Sequence, residues 1–271
     1  MDKSQKMKNA PVYYVLAQAR HNPVLRLDAY IAEIQDRMRK VGYPDHQVSA
    51  TIAVELNFTA GDGQQDTQRV VPKNVERHLF LSADRINGFI VEPGALSFQT
   101  TEYDTFEPFL DDFMVGFGIV HDVIKLDYTE RIGIRYLDAV VPANGNDDLP
   151  RYLTPGVLGL VGQLPPGVLV GLSLSETHIP LPDAEANLLS RIIIRSGPLG
   201  FPMDLEPQGL KVPERFRNVQ GLHAIIDTDA SQLKRQPIDL ADLRVRLDVL
   251  HTKIRMAFDA TVTKQALAEW Q

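Results

Sequence analysis

At 271 residues, with 44% hydrophobic and 23% charged side chains, the chain has the composition of an ordinary soluble globular protein and length enough for one large core or two small ones. It contains no cysteine, which excludes a disulfide framework, thiolate zinc sites and a cysteine nucleophile. A net charge of −7 disfavours nucleic acid, and no apolar run reaches the roughly 18 residues of a membrane-spanning helix.

The polar start, Met1 to Lys8, has no apolar segment after it and does not read as a signal peptide, so residues 1–9 are expected to form a disordered leader of a cytoplasmic protein. Residues 12–19 read as a strand that ends before Pro23. Leu27, Tyr30, Ile31, Ile34, Met38 and Val41 then recur at helical spacing, with Gly42 at the position of a C-terminal cap. Residues 50–58 form a second predicted strand, and Gly61-Asp62-Gly63 marks a loop. Residues 78–83, 88–92 and 95–101 read as a three-stranded meander, turned at Asn87-Gly88 and Pro93-Gly94. Asp104 or Thr105 can cap a long helix whose apolar stripe is Phe106, Phe109, Leu110, Phe113, Phe117, Val120 and Ile124. At that spacing the phenylalanines are core rather than a base-stacking platform, and Gly116 marks a close-packing point.

An arginine-bearing strand at 128–141 follows, and Pro142 to Asn146 closes the first half. The second half opens with a short helix near 147–153. Strands are predicted at 168–178, 188–196 and 222–228, with a long irregular connection, 197–220, as the best place for a binding loop. Asp239 or Asp242 caps a last long helix with the stripe Leu243, Leu247, Leu250, Ile254 and Phe258, and Thr263 caps a terminal short one. Strands in groups and helices singly predict an α+β fold: mostly antiparallel sheet with long helices packed on one face. The halves 10–141 and 142–271 rhyme loosely, each running through strands into a long helix, which leaves a pseudo-repeat open within one continuous domain or two.

The 128–141 strand puts Arg131 and Arg135 on one face and Ile132, Ile134, Tyr136 and Asp138 on the other. Arg191 and Arg195 repeat the spacing, while Asp227 and Asp229 share a face of another strand. Two readings are open. The four arginines can form an anion site for a phosphate, carboxylate or nucleotide. Alternatively they pair internally with Asp227, Asp229 or Glu55, which cross-strand ion pairing favours. Asp227 and Asp229 could hold a divalent cation, but no third acidic group or nearby lysine has the spacing of a two-metal nuclease. The seven histidines include no i, i+4 zinc pair. His121 and His251 are placed late in their helices, where positive charge suits the dipole. No nucleophile elbow, P-loop or dinucleotide fingerprint is present, so neither a cofactor nor a catalytic residue is assigned.

Three segments taken together carry a resemblance: Glu130 through Tyr136, Ile226 through Asp229 with Leu250 to Lys253 and Phe258, and Leu79 through Asp84. They resemble a sporadically distributed family of uncharacterised prokaryotic proteins of about this length. That resemblance implies no established activity. The patchy distribution is typical of genes in mobile and defence islands. The expectation is a non-catalytic protein-interaction or accessory subunit, partnered by another protein or a second copy.

Overall fold

The computed structural model describes residues 7–57, 69–142, 148–165 and 167–271, with side chains described outside 50–57 and 69–75. The predicted loop at 61–66 and the turn at 143–146 lie outside the described residues. The strands are β1 (Val12–His21), β2 (Asp45–Asn57), β3 (Arg69–Leu81), β4 (Asn87–Glu92), β5 (Ala95–Thr100), β6 (Tyr128–Val140), β7 (Leu172–Leu181), β8 (Ala186–Ser196) and β9 (Leu222–Pro237). They form one nine-stranded antiparallel sheet in the order β2-β3-β4-β5-β1-β6-β9-β8-β7. β1 and β6 pair at its centre, so the sheet runs unbroken through both halves of the chain.

The helices are α1 (Asp28–Lys40), α2 (Phe106–Ile124), the one-turn α3 (Leu149–Tyr152), α4 (Pro155–Leu158) and α5 (Glu214–Arg217), then α6 (Leu240–Thr261) and α7 (Lys264–Trp270). The largest core cluster joins Val15, Ala17, Ile132 and Ile134 of the central strands to Ile34 and Met38 of α1, Phe113 and Phe117 of α2, and Leu247 and Leu250 of α6. Alternate apolar side chains on the core face of the strands meet the 3.6-residue stripes of the helices, and removing that apolar surface from water drives the packing, while β5 and most of β6 are buried on both faces. A second cluster seats Trp270 of α7 and Phe258 beside Ile192, Ile194 and Ile226.

Helix ends follow local chemistry. Gly42 adopts φ 100° after α1, a left-handed conformation that favours glycine. The Asp239 side chain accepts from the amides of Ala241 and Asp242, and Thr263 Oγ1 accepts from that of Ala266. At α2 the expectation fails in part, because Thr105 sits at the N-cap without a side-chain cap bond. Gly116 of α2 lies under the Phe89 ring, whose nearest atom would be 2.1 Å from an added Cβ.

His251 departs from its expected role. It sits near the middle of α6, stacked on Phe106 with ring centroids 3.8 Å apart. Burial lowers its pKa to about 4, so the ring is neutral at neutral pH and carries no charge for the helix dipole. At the N-terminus, the Asn9 amide donates to the Trp270 carbonyl at 3.0 Å. Residues 1–6 of the expected leader lie outside the described residues. Among the described residues, no helix is long and apolar enough to cross a membrane.

Candidate functional site

Register brings the charged strand residues together. Arg135 of β6 pairs with Asp229 of β9, which pairs in turn with Leu189 of β8, while Asp227 lies between Leu137 and Arg191. Directly paired residues of antiparallel strands share a face, so Arg131, Arg135, Arg191, Arg195, Asp227 and Asp229 all project from one side of the sheet.

The centre of this face is an ion-pair network around Asp227, a side chain only 1% exposed. Arg135 donates from Nε and Nη2 to its two oxygens, both at 2.7 Å. The other edge of the same guanidinium donates to Asp204, from Nη1 at 2.8 Å and Nη2 at 3.1 Å. Arg191 donates from Nη1 to Asp227 at 3.3 Å and from Nε to Glu176 of β7 at 2.6 Å. Burial alone would favour a neutral Arg135, and the bonds to Asp227 and Asp204 more than reverse this, holding it charged. The Arg135 guanidinium in turn holds the Asp204 carboxyl below its usual range.

The other predicted residues are placed more loosely. Arg131 lies over Gly133, where an added Cβ would meet its guanidinium at 3.2 Å. It donates to Gln18 at 3.3 Å and stands 3.6 Å from Asp229, whose pKa burial raises. Arg195 pairs across the ladder with His223 and, among the described residues, has no acidic side chain within ion-pair reach. The pairing with Glu55 expected from the sequence falls on a side chain outside the described residues. β2, which carries it, is an edge strand with β3, β4, β5 and β1 between it and β6.

Two partners were missed in the sequence. Glu176 is on β7, and Asp204 is in the 197–220 connection predicted as a binding loop. That connection is a strap laid across the sheet. It leaves and returns through a narrow neck, with Gly197 N bonded to Gly221 O at 3.0 Å and Leu199 N to Val219 O at 3.4 Å. Phe201 and Phe216 pack on Tyr13, with centroids 5.2 and 5.6 Å away. Further on, Gln208 exchanges bonds with the Gln99 side chain, and Leu210 packs on Leu79, Leu81 and Ile90 of β3 and β4. The strap therefore spans the sheet from β8 to β3 and pins Asp204 against Arg135. A one-residue bulge at Tyr13 and Tyr14 allows both rings to turn towards it.

Chemically, the network is a neutralised polar layer. Its cations are already held by carboxylates of the same chain, and among the described residues no cluster of three His, Cys, Asp or Glu could hold a metal ion. Beyond the network the same side of the sheet ends at β7. There Leu172 and Leu174 are 68% and 59% exposed. The chain matches no known family model and no curated protein.

Proposed function

We propose that this chain is a non-catalytic protein-interaction or accessory subunit of a prokaryotic, defence-associated, cytoplasmic system, and that its partner adds a strand to β7. The observation that carries the reading is the open first part of the edge strand, Leu172 to Ser175. β7 is the last strand of the sheet, paired only with β8 and without a bulge. Edge strands are normally blunted by lysine, proline, bulges or a covering segment. From Leu172 to Ser175 the edge has none of these residues, with Glu176 and Pro180 guarding only its later part, and its alternating Leu and Ser present exposed apolar side chains along an edge paired on one side only. A strand added there gains main-chain hydrogen bonds and buries Leu172 and Leu174.

The architecture supports a scaffold role. We read α1, α2 and α6 as one helix layer behind the sheet and the two halves as pseudo-repeats. On either side of the central β1–β6 pair stands a three-stranded meander leading into a long helix, β3-β4-β5 into α2 and β7-β8-β9 into α6. The resemblance to a sporadic prokaryotic family supplies the setting. The rival reading, an anion-binding domain or enzyme, has less support because Arg135 and Arg191 are already paired within the chain.

Replacing Leu172 and Leu174 together by Lys is expected to leave the melting temperature unchanged and to abolish partner binding. Light scattering after gel filtration reads self-association, and affinity capture from the native host reads a different partner. Identical behaviour of wild type and variant in both assays would rule out β7 as the interface.

A further inference from the structure

Asp138 of β6 projects away from the arginine network, 6% exposed, and among the described residues it meets no hydrogen-bond donor and no cation. Burial alone acts on it and raises its pKa to about 7. It lines a pocket of about 100 Å³ together with Tyr103, Tyr136, Thr228, His251 and Phe258. The pocket has a second unsatisfied group, because the buried Thr228 Oγ1 has no hydrogen-bond partner. Tyr136 donates to the Tyr103 hydroxyl at 3.0 Å, His251 is neutral, and Arg255 at the lining is paired with Asp259 at 2.9 Å. Asp104, which precedes α2, also lines it.

An unpaired carboxylate and an unpaired hydroxyl line the same aromatic-walled cavity. Buried polar groups are nearly always bonded, and each exception calls for a partner. The two carboxylates of the lining, Asp138 and Asp104, are too few for a structural metal, and an anion would be repelled. Aromatic faces attract cations. The volume admits only a small molecule. We propose that this pocket binds a small organic cation, a primary amine or amidine, which donates N–H groups to Asp138 and Thr228 Oγ1 and lays its hydrocarbon against Tyr103 and Phe258. Such a cation keeps its proton and holds Asp138 ionised, replacing the water that the carboxylate lost on burial.

Calorimetric titration in mildly alkaline buffer tests this with n-butylammonium and benzamidinium, against the neutral isosteres n-butanol and benzamide. Saturable binding of a cation is expected, with neither isostere binding. Asp138→Asn should weaken it by ~10- to 100-fold, the loss of one charge-assisted hydrogen bond. The variant should fold. A carboxyl whose folded pKa is raised costs stability progressively as pH rises from its unfolded value towards about 7, and the amide escapes that loss. A second reading needs no variant. In mildly acidic buffer, binding to the wild type should release a proton from Asp138, seen as a heat that varies with the ionisation enthalpy of the buffer. Tyr103 and Tyr136, with raised pKa values, and the already neutral His251 would not supply it. Undiminished binding to Asp138→Asn, equal binding of the neutral isosteres, or no saturable heat with either cation would overturn the assignment.

Discussion

Asp227→Asn is expected to be the most damaging single change on the polar face, lowering stability by about 3–5 kcal/mol. The substitution keeps the shape and removes the charge, so the Arg135 guanidinium, itself 10% exposed, is left with Asp204 alone. Arg191 loses a partner at the same time. A buried cation stripped of its carboxylate retains the full cost of its lost hydration, which is why the loss exceeds the net worth of the pair. Asp204→Asn is the internal control. Its side chain is 57% exposed, where solvent screens the interaction, and about 0.2–1 kcal/mol is expected. Urea unfolding of the two variants separates them. Against a typical total of about 5–15 kcal/mol, the first should move the midpoint far down and the second barely. Equal effects would mean that the network is not organised around Asp227.

Phe89→Ala is expected to cost about 3–5 kcal/mol, the usual penalty for emptying a fully buried aromatic site. The ring is 0% exposed and packs on Tyr43 and Phe98, both with centroids 4.7 Å away. It also occupies the space where a Cβ at Gly116 would stand. Gly116→Ala by itself should also destabilise, by about 1–3 kcal/mol, because three ring atoms lie within 2.7 Å of the new methyl. In the Phe89→Ala background that clash is gone. The alanine should then stabilise by up to about 1 kcal/mol through helix propensity and filled space. A double-mutant cycle by urea unfolding reads this change of sign directly, and simple additivity of the two substitutions would refute the close packing.

Much of the architecture was legible because period and punctuation agree. The stripe from Phe106 to Ile124 and that from Leu243 to Phe258 are the buried faces of α2 and α6, and Pro93-Gly94 turns the chain between β4 and β5, whereas the turn before β4 falls at 82–86 and Asn87-Gly88 open the strand. What was lost lay where the sheet outgrows its core. β3 begins at Arg69 rather than at residue 78, and its first part, with Pro72 and several charges, pairs only with β2. Pro within a run argues against a strand unless the strand lies towards an edge, and here β2 is the edge. β9 continues to Pro237 through a polar stretch that carries no apolar alternation. β7 begins at Leu172 rather than at 168, after the proline- and glycine-rich approach.

The charged layer was half visible. Spacing alone put Arg131 with Arg135, Arg191 with Arg195, and Asp227 with Asp229, and β-sheet register then brought the three strands side by side. Asp204 and Glu176 were invisible as partners, since nothing local says that an irregular segment will lie across a sheet or which carboxylate on an edge strand will reach inward. A signal for the strap did exist in Phe201, Leu205, Leu210 and Phe216, apolar residues at no regular period, which a loop left in water would not need. Asp138 could be placed on the core side with Tyr136, but its lack of any donor is a property of the assembled pocket.

The central claim is that Arg135 and Arg191 are neutralised by Asp227, Asp204 and Glu176 of their own chain and do not form an anion site. Thermal unfolding with a panel of inorganic phosphate, nucleotides and dicarboxylates tests it most directly. A ligand bound at 100 times its Kd would add about 2.7 kcal/mol, or roughly 5–10 °C for a chain of this size. No member of the panel should move the midpoint beyond the general effect of salt. A saturable rise of several degrees that disappears when Arg191 is replaced by Gln would contradict it.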